Sequence, residues 1–139
     1  MKTIRIYGIF ALAAMGIAAL MVSAKADASA YEMKSNSEKR VRVDVRPVQL
    51  AAGQPVKFEV RMNTHSADLA QDMVAVSTLK DNSGREYKPT AWQGSPPGGH
   101  HRKGVLEFPD LAENSESITL IIRGIDNVPE RTFNWRISK

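Results

Sequence analysis

Val56 to Met62 reads VKFEVRM. Apolar residues fall at every second position, with lysine, glutamate and arginine between them. Only an extended chain, whose side chains alternate between faces, sorts that pattern into one dry and one wet side. The segment is a half-buried strand. Upstream, Val41, Val43 and Val45 alternate with Arg42, Asp44 and Arg46 as far as Pro47, and AAGQP turns the chain between the two runs. Downstream, Met73–Leu79, Arg85–Thr90, Val105–Phe108, Ser117–Arg123 and Arg131–Ile137 read as further strands, the last with Phe133, Trp135 and Ile137 on one face. KDNSG at Lys80–Gly84 is a hairpin turn, because Asn and Gly tolerate positive φ. Pro109 is expected to stop the short fifth strand. Apart from a single turn at Ser66–Gln71, nothing after the leader has a helical period.

About seven short strands punctuated by turns predict an all-β fold, an antiparallel β-sandwich of immunoglobulin-like or fibronectin-like type, with a closed barrel as the alternative. The chain has no cysteine, so disulfides and thiol chemistry are excluded and the core alone must hold the domain.

Residues 1–26 have the organisation of a secretory signal peptide. Lys2 and Arg5 precede an uncharged run of about fifteen residues, Gly8–Val22, and AKA at Ala24–Ala26 supplies small residues for cleavage before Asp27. ASA at Ala28–Ala30 offers a second cleavage point before Tyr31, and retention as an N-terminal anchor is the third reading. The apolar run is shorter than the roughly 20 residues a spanning helix needs, so no stable membrane insertion is expected after cleavage. The protein is expected to be exported, periplasmic or extracellular. Residues 27–40, polar and without a period, are expected to form a flexible segment ahead of a sandwich domain at residues 41–139.

The leader also carries most of the net charge. Of 19 Lys+Arg, three (Lys2, Arg5 and Lys25) lie in it, without an acidic residue, so the remainder sits close to neutrality against 15 Asp+Glu. The basic whole-chain balance is therefore no argument for nucleic acid. Arg42, Arg46, Lys57 and Arg61 read as wet strand faces interrupted by Asp44 and Glu59, not as a nucleic-acid patch.

Successive antiparallel strands alternate direction, so alternate connections share an end of the sandwich. NTHSADLAQD, the 14-residue segment Ala91–Gly104 (AWQGSPPGGHHRKG) and GIDNVPE fall at one pole. That pole holds all three histidines, His65, His100 and His101, together with Asp68, Asp72, Asp126 and Glu130. The opposite pole receives AAGQP, KDNSG and PDLAENSE. Long loops often carry function, which makes Ala91–Gly104 the first place to look.

Three uses of this pole compete. Imidazole suits copper and zinc, and His65, His100, His101 and Asp68 are a candidate ligand set. Adjacent histidines on an extended chain point to opposite sides, however, and no H-x-H or H-E-x-x-H motif is present. In a structural reading, Trp92 folds over the sandwich end, Pro96 and Pro97 stiffen the loop, Gly98 and Gly99 let it bend, and His65 and His101 donate ring N–H groups to loop carbonyls, leaving one of the two adjacent histidines inward and the other near the surface. In a binding reading, Trp92, Arg102 and the histidines form a contact surface, since these residue types are favoured at hot spots. No nucleophile elbow, phosphate-binding glycine loop or paired carboxylate motif suggests an enzyme.

NTHSADL, then WQGSPPGGHHRKGVL, then ERTFNW also resemble an exported bacterial and archaeal family of small β-domains with the signature N-T-H-S-x-D-L, W-x-G-x-x-x-G-G-H-H-R-x-G-V-L and E-R-x-F-x-W. The resemblance spans Val56 to Ile137. It implies that Asn63, His65, Asp68, Trp92, Gly98, Gly99, His100, His101 and Arg102 are signature positions, and it implies no activity. The combined expectation is a non-enzymatic binding or accessory domain of the cell envelope, with a protein partner and without a cofactor. The alternative is a periplasmic copper- or zinc-binding protein using the same histidines.

Overall fold

The computed structural model describes residues 31–139. The leader and its cleavage sites lie outside the described residues. Nine strands and one short helix form two antiparallel sheets: β1 (Lys34–Glu38), β2 (Val41–Gln49), β3 (Pro55–Thr64), α1 (Met73–Val76), β4 (Ser77–Asp81), β5 (Glu86–Tyr87), β6 (Ala91–Gly94), β7 (His101–Asp110), β8 (Ser117–Ile125) and β9 (Val128–Arg136). One sheet has the order β1-β2-β3-β7-β6 and the other β5-β4-β8-β9. The chain changes sheet after β3, after β5 and after β7.

The sheets meet through the alternating apolar residues. Val56, Phe58, Val60 and Met62 of β3 are fully buried, as are Leu120 and Ile122 of β8. Phe58 joins the layers, packing edge-on to Phe108 at 5.8 Å and against Trp135 of the opposite sheet at 5.5 Å between ring centroids. Each such side chain contributes on the order of 1.5–3 kcal/mol through burial. The fold class is the expected antiparallel β-sandwich, with nine strands in place of about seven.

The extra strands lie where apolar alternation is absent. Residues 31–40 are not a loose leader, because β1 pairs with β2 from Lys34↔Val45 to Glu38↔Val41. Side chains tie this segment down as well. The Tyr31 hydroxyl donates to Leu50 O at 3.0 Å, and Trp135 Nε1–H donates to Glu32 O at 2.8 Å. The sandwich therefore includes residues from Tyr31 onward rather than starting at Val41. Ala91–Gly104 is likewise not one long loop. β6 pairs with β7 from Ala91↔Glu107 to Gly94↔Gly104, leaving only residues 95–100 as a connection. Pro109 does not end β7. It is the extra residue of a bulge opposite Pro55 and Val56, beyond the end of β6, where its missing N–H breaks no ladder.

Met73–Leu79 was expected as one strand, but its first four residues form α1. The Asp72 side chain caps that turn, accepting from Val74 N at 3.0 Å and Ala75 N at 3.4 Å. The expected strand Arg85–Thr90 shrinks to the two residues of β5.

At the far pole the KDNSG turn is organised by Asp81, which accepts from Ser83 N and Oγ, Arg85 N and the Tyr87 hydroxyl. Burial by itself would raise this carboxyl, and the hydrogen bonds from Ser83, Tyr87 and Arg85 outweigh it, holding Asp81 below its ordinary value. A carboxylate depressed in the folded state adds stability that is present above its unfolded pKa and lost as pH falls through the folded one. Asp81→Asn is therefore expected to cost about 2 kcal/mol at pH 7 and to flatten the loss of melting temperature on acidification below about pH 4. Thermal melts of both proteins across that range test this.

Candidate functional site

The pole expected from strand parity is assembled by backbone hydrogen bonds between the two signature loops. Thr64 N donates to His100 O at 3.0 Å, Leu69 N to Gly99 O at 3.2 Å and Gly98 N to Leu69 O at 2.9 Å. Gly98 and Gly99 have φ of +109° and +77°. Nothing lies within 4 Å of a Cβ built at either position, so dihedral freedom rather than space requires glycine there. Thr64 starts the other loop, its Oγ1 accepting from Ser66 N and Ala67 N. GIDNVPE also reaches this pole, as a tight β8–β9 turn with Asp126 and Asn127 at positive φ.

Arg102 ties the pole together. By alternation with Gly104, Leu106 and Phe108 it points inward, and it is 2% exposed. Its NH1 donates to Leu69 O at 3.0 Å and Gln71 O at 2.7 Å, and its NH2 to Ser95 O at 3.4 Å. The guanidinium lies 5.5 Å from the Trp92 ring centroid, and Trp92 Nε1–H closes the other side of the loop on Ser95 O at 2.9 Å. Burial lowers the Arg102 pKa, partly offset by Asp72. Arg102 is thus a buried clamp on loop carbonyls, not the surface contact expected. Trp92 does not cap the sandwich end; it sits half-buried on the edge strand β6.

The histidine side chains do none of this tying. His65, His100 and His101 are all exposed, so neither member of the adjacent pair turns inward. His101 Nδ1 bonds Asn63 Oδ1 at 2.8 Å across β3 and β7, side chain to side chain rather than to a loop carbonyl. Asn63 and Asp68 are exposed as well. Among the described residues, no three or more His, Asp or Glu side chains form a group able to hold a metal ion, so His65, His100, His101 and Asp68 do not converge.

Two further arginines, outside the expected site residues, fasten this end. Arg40, in the β1–β2 turn, donates to the Asp126 carboxylate through its backbone N and Nε, and its NH1 reaches Ser66 O. The Arg40 hydrogen bonds hold Asp126 below its ordinary range. The second is Arg131 of β9, 0% exposed, which binds Asn36 Oδ1 at 2.7 Å and the carbonyls of Val41, Glu38 and Ile125 at 3.0–3.2 Å.

Gly104 is fitted to Trp92. A Cβ there would lie 2.7 Å from Trp92 Cζ2 and 2.8 Å from Gln93 O, and one on its partner Gly94 would collide with the Gly104 backbone. Gly104→Ala is expected to displace the indole and cost about 2 kcal/mol, read as a red shift of tryptophan emission with a lower melting temperature.

No family model and no curated protein matches the chain. A solved structure does align with it. That structure is a DUF4426 family protein from Pseudomonas aeruginosa PAO1, 11% identical, with a TM-score of 0.42, covering 74% of this chain and 90% of its own.

Proposed function

We propose that this protein is an exported, non-enzymatic binding or accessory domain of the cell envelope, working through the loop pole that bears His65, Trp92, His100 and His101. One observation carries the reading. The structural work of the pole is done by Arg102, Thr64 and the loop backbone, while Asn63, His65, Asp68, His100 and His101 stand exposed on that fixed frame. Polar side chains presented by pre-ordered loops lose little entropy on binding a partner, which favours affinity.

The test places a photocrosslinking residue at His100 or, as a control, at Asn82 on the opposite pole. Adducts with an envelope protein are expected from position 100 and not from position 82, and equal labelling overturns the reading. His65→Ala combined with His100→Ala is expected to change stability by no more than about 0.5 kcal/mol, as for surface substitutions away from structural contacts. A larger loss would return these histidines to a structural role. Calorimetric titration with copper and zinc checks the metal reading in the same proteins. Tight binding lost in the variant would displace the proposal.

A further inference from the structure

The outer face of the five-stranded sheet, where it joins the pole, is a register-set array of polar side chains. One row runs Ser37, Arg42, Asn63, His101 across β1, β2, β3 and β7, and the next runs Ser35, Asp44, Arg61, Lys103. The His101–Asn63 pair forms a ridge between two shallow cavities of about 320 and 290 Å³. Lys39, Arg40, Arg42 and His65 wall the first, Arg61, Ser95 and Lys103 the second, and neither lining contains a carboxylate. Acidic partners outside the linings hold three of these cations in place: Asp126 for Arg40, Asp44 for Arg42 and Glu59 for Arg61. Among the described residues Lys39 and Lys103 have no ion-pair partner. Farther from the pole Arg46 shares Glu59 with Arg61, and Lys57 pairs with Glu107. Lys39 and Lys103, both without such a partner among the described residues, lie in the strip beside His65 and His101.

We infer that this strip binds a linear anionic polysaccharide, with a sulfate, phosphate or carboxylate group in each cavity and sugar hydroxyls on Asn63, Ser37 and Ser95. This rests on the reading of the pole as a binding surface. Arg42 and Lys103 stand two strand spacings and two residues apart, about 12 Å, a span that suits a repeating chain better than one small anion. Each cavity is at the lower end of small-molecule sites, with room for one charged unit. The linings hold no Phe, Tyr or Trp, the large rings on which bases stack in single-strand nucleic-acid grooves; their rings are the imidazoles of His65 and His101. Charge-assisted contacts to oxyanions supply the affinity.

Dextran sulfate and polygalacturonate are suitable probes, with neutral dextran as the blank and single-stranded DNA as the competing polyanion. Calorimetry is expected to show binding of both anionic polysaccharides, none of dextran, and weakening with salt. Arg42→Gln with Lys103→Gln should weaken binding at least about 10-fold, the equivalent of one lost charged contact. The charge-matched pair Lys80→Gln with Arg136→Gln, on the other sheet, should leave it within about 2-fold. Equal losses in both pairs, no binding by the wild type, or tighter binding of DNA than of either polysaccharide would overturn the inference. If polysaccharide binding fails while crosslinks from position 100 persist, this inference alone falls. If both fail, the pole reading falls with it.

Discussion

Arg131→Met is expected to destabilise the protein by about 4 kcal/mol, a large share of the 5–15 kcal/mol that holds a domain of this size. The guanidinium has no carboxylate in contact. It is spent on Asn36 Oδ1 and on the carbonyls of Val41, Glu38 and Ile125, and burial lowers its pKa, with Glu38 and Asp126 opposing the shift from farther away. Methionine of similar length removes the desolvation cost of the charge but leaves the acceptors unpaired, at about 1–3 kcal/mol for each that water cannot reach. Three of these partners belong to β1 and the start of β2, so damage should appear there first. Proteolysis within residues 31–40 is expected to accelerate well before global unfolding, together with a fall in melting temperature of roughly 16–30 °C. Arg131→Lys is expected to recover only part of the loss, because an ammonium has three donors and cannot span four acceptors drawn from β1, β2 and β8. A melting temperature within about 3 °C of wild type for Arg131→Met would show that these bonds do not hold β1.

Arg131 also shows what the sequence makes legible. It shares the inward parity of Phe133, Trp135 and Ile137, so alternation alone marks it as buried, and a cation at an inward position points to a ring of carbonyl acceptors. Arg102 has the same parity with Leu106 and Phe108, but a strand started at Val105 hides it. β3 and the placement of Arg42, Asp44, Arg46 and Glu59 on wet strand faces follow directly from alternation, whereas the Arg46–Glu59 pair is set by the β2–β3 register. β1 does not, because an edge strand held by its main-chain ladder and by Asn36 needs no apolar stripe. The β6–β7 hairpin is obscured by Gly94 and Gly104, the pair that lets it close under Trp92. Strand parity does bring NTHSADL to GGHH. It cannot say which side chains close the pole, because imidazole and guanidinium are both plausible donors to carbonyls, and only depth in the fold separates the buried Arg102 from the exposed histidines.

That distinction leads to the second large effect. Arg102→Met is expected to cost about 3 kcal/mol and to loosen the pole while leaving the sheets intact. Its donors reach one carbonyl on each side of Ala70 and a third, Ser95 O, at the end of β6, so its loss frees both loops at once. The amides of Thr64, Leu69 and Gly98, which bond across those loops, should exchange with solvent faster by more than the roughly 160-fold that a global loss of about 3 kcal/mol gives by itself, whereas Leu120 and Ile122 in the core should not exceed that factor. Trp92 loses the cation beside its ring, so its emission should shift as well. Arg102→Lys keeps the charge but neither the fork nor the flat face against the indole, and is expected to fall between the two. The variant also separates frame from surface. If the exposed histidines act only when the loops are held, Arg102→Met should abolish crosslinking from position 100 although no residue of the exposed set has changed. If crosslinking survives while the loop amides exchange freely, the partner orders the pole for itself and pre-ordering by Arg102 is not what makes the surface work.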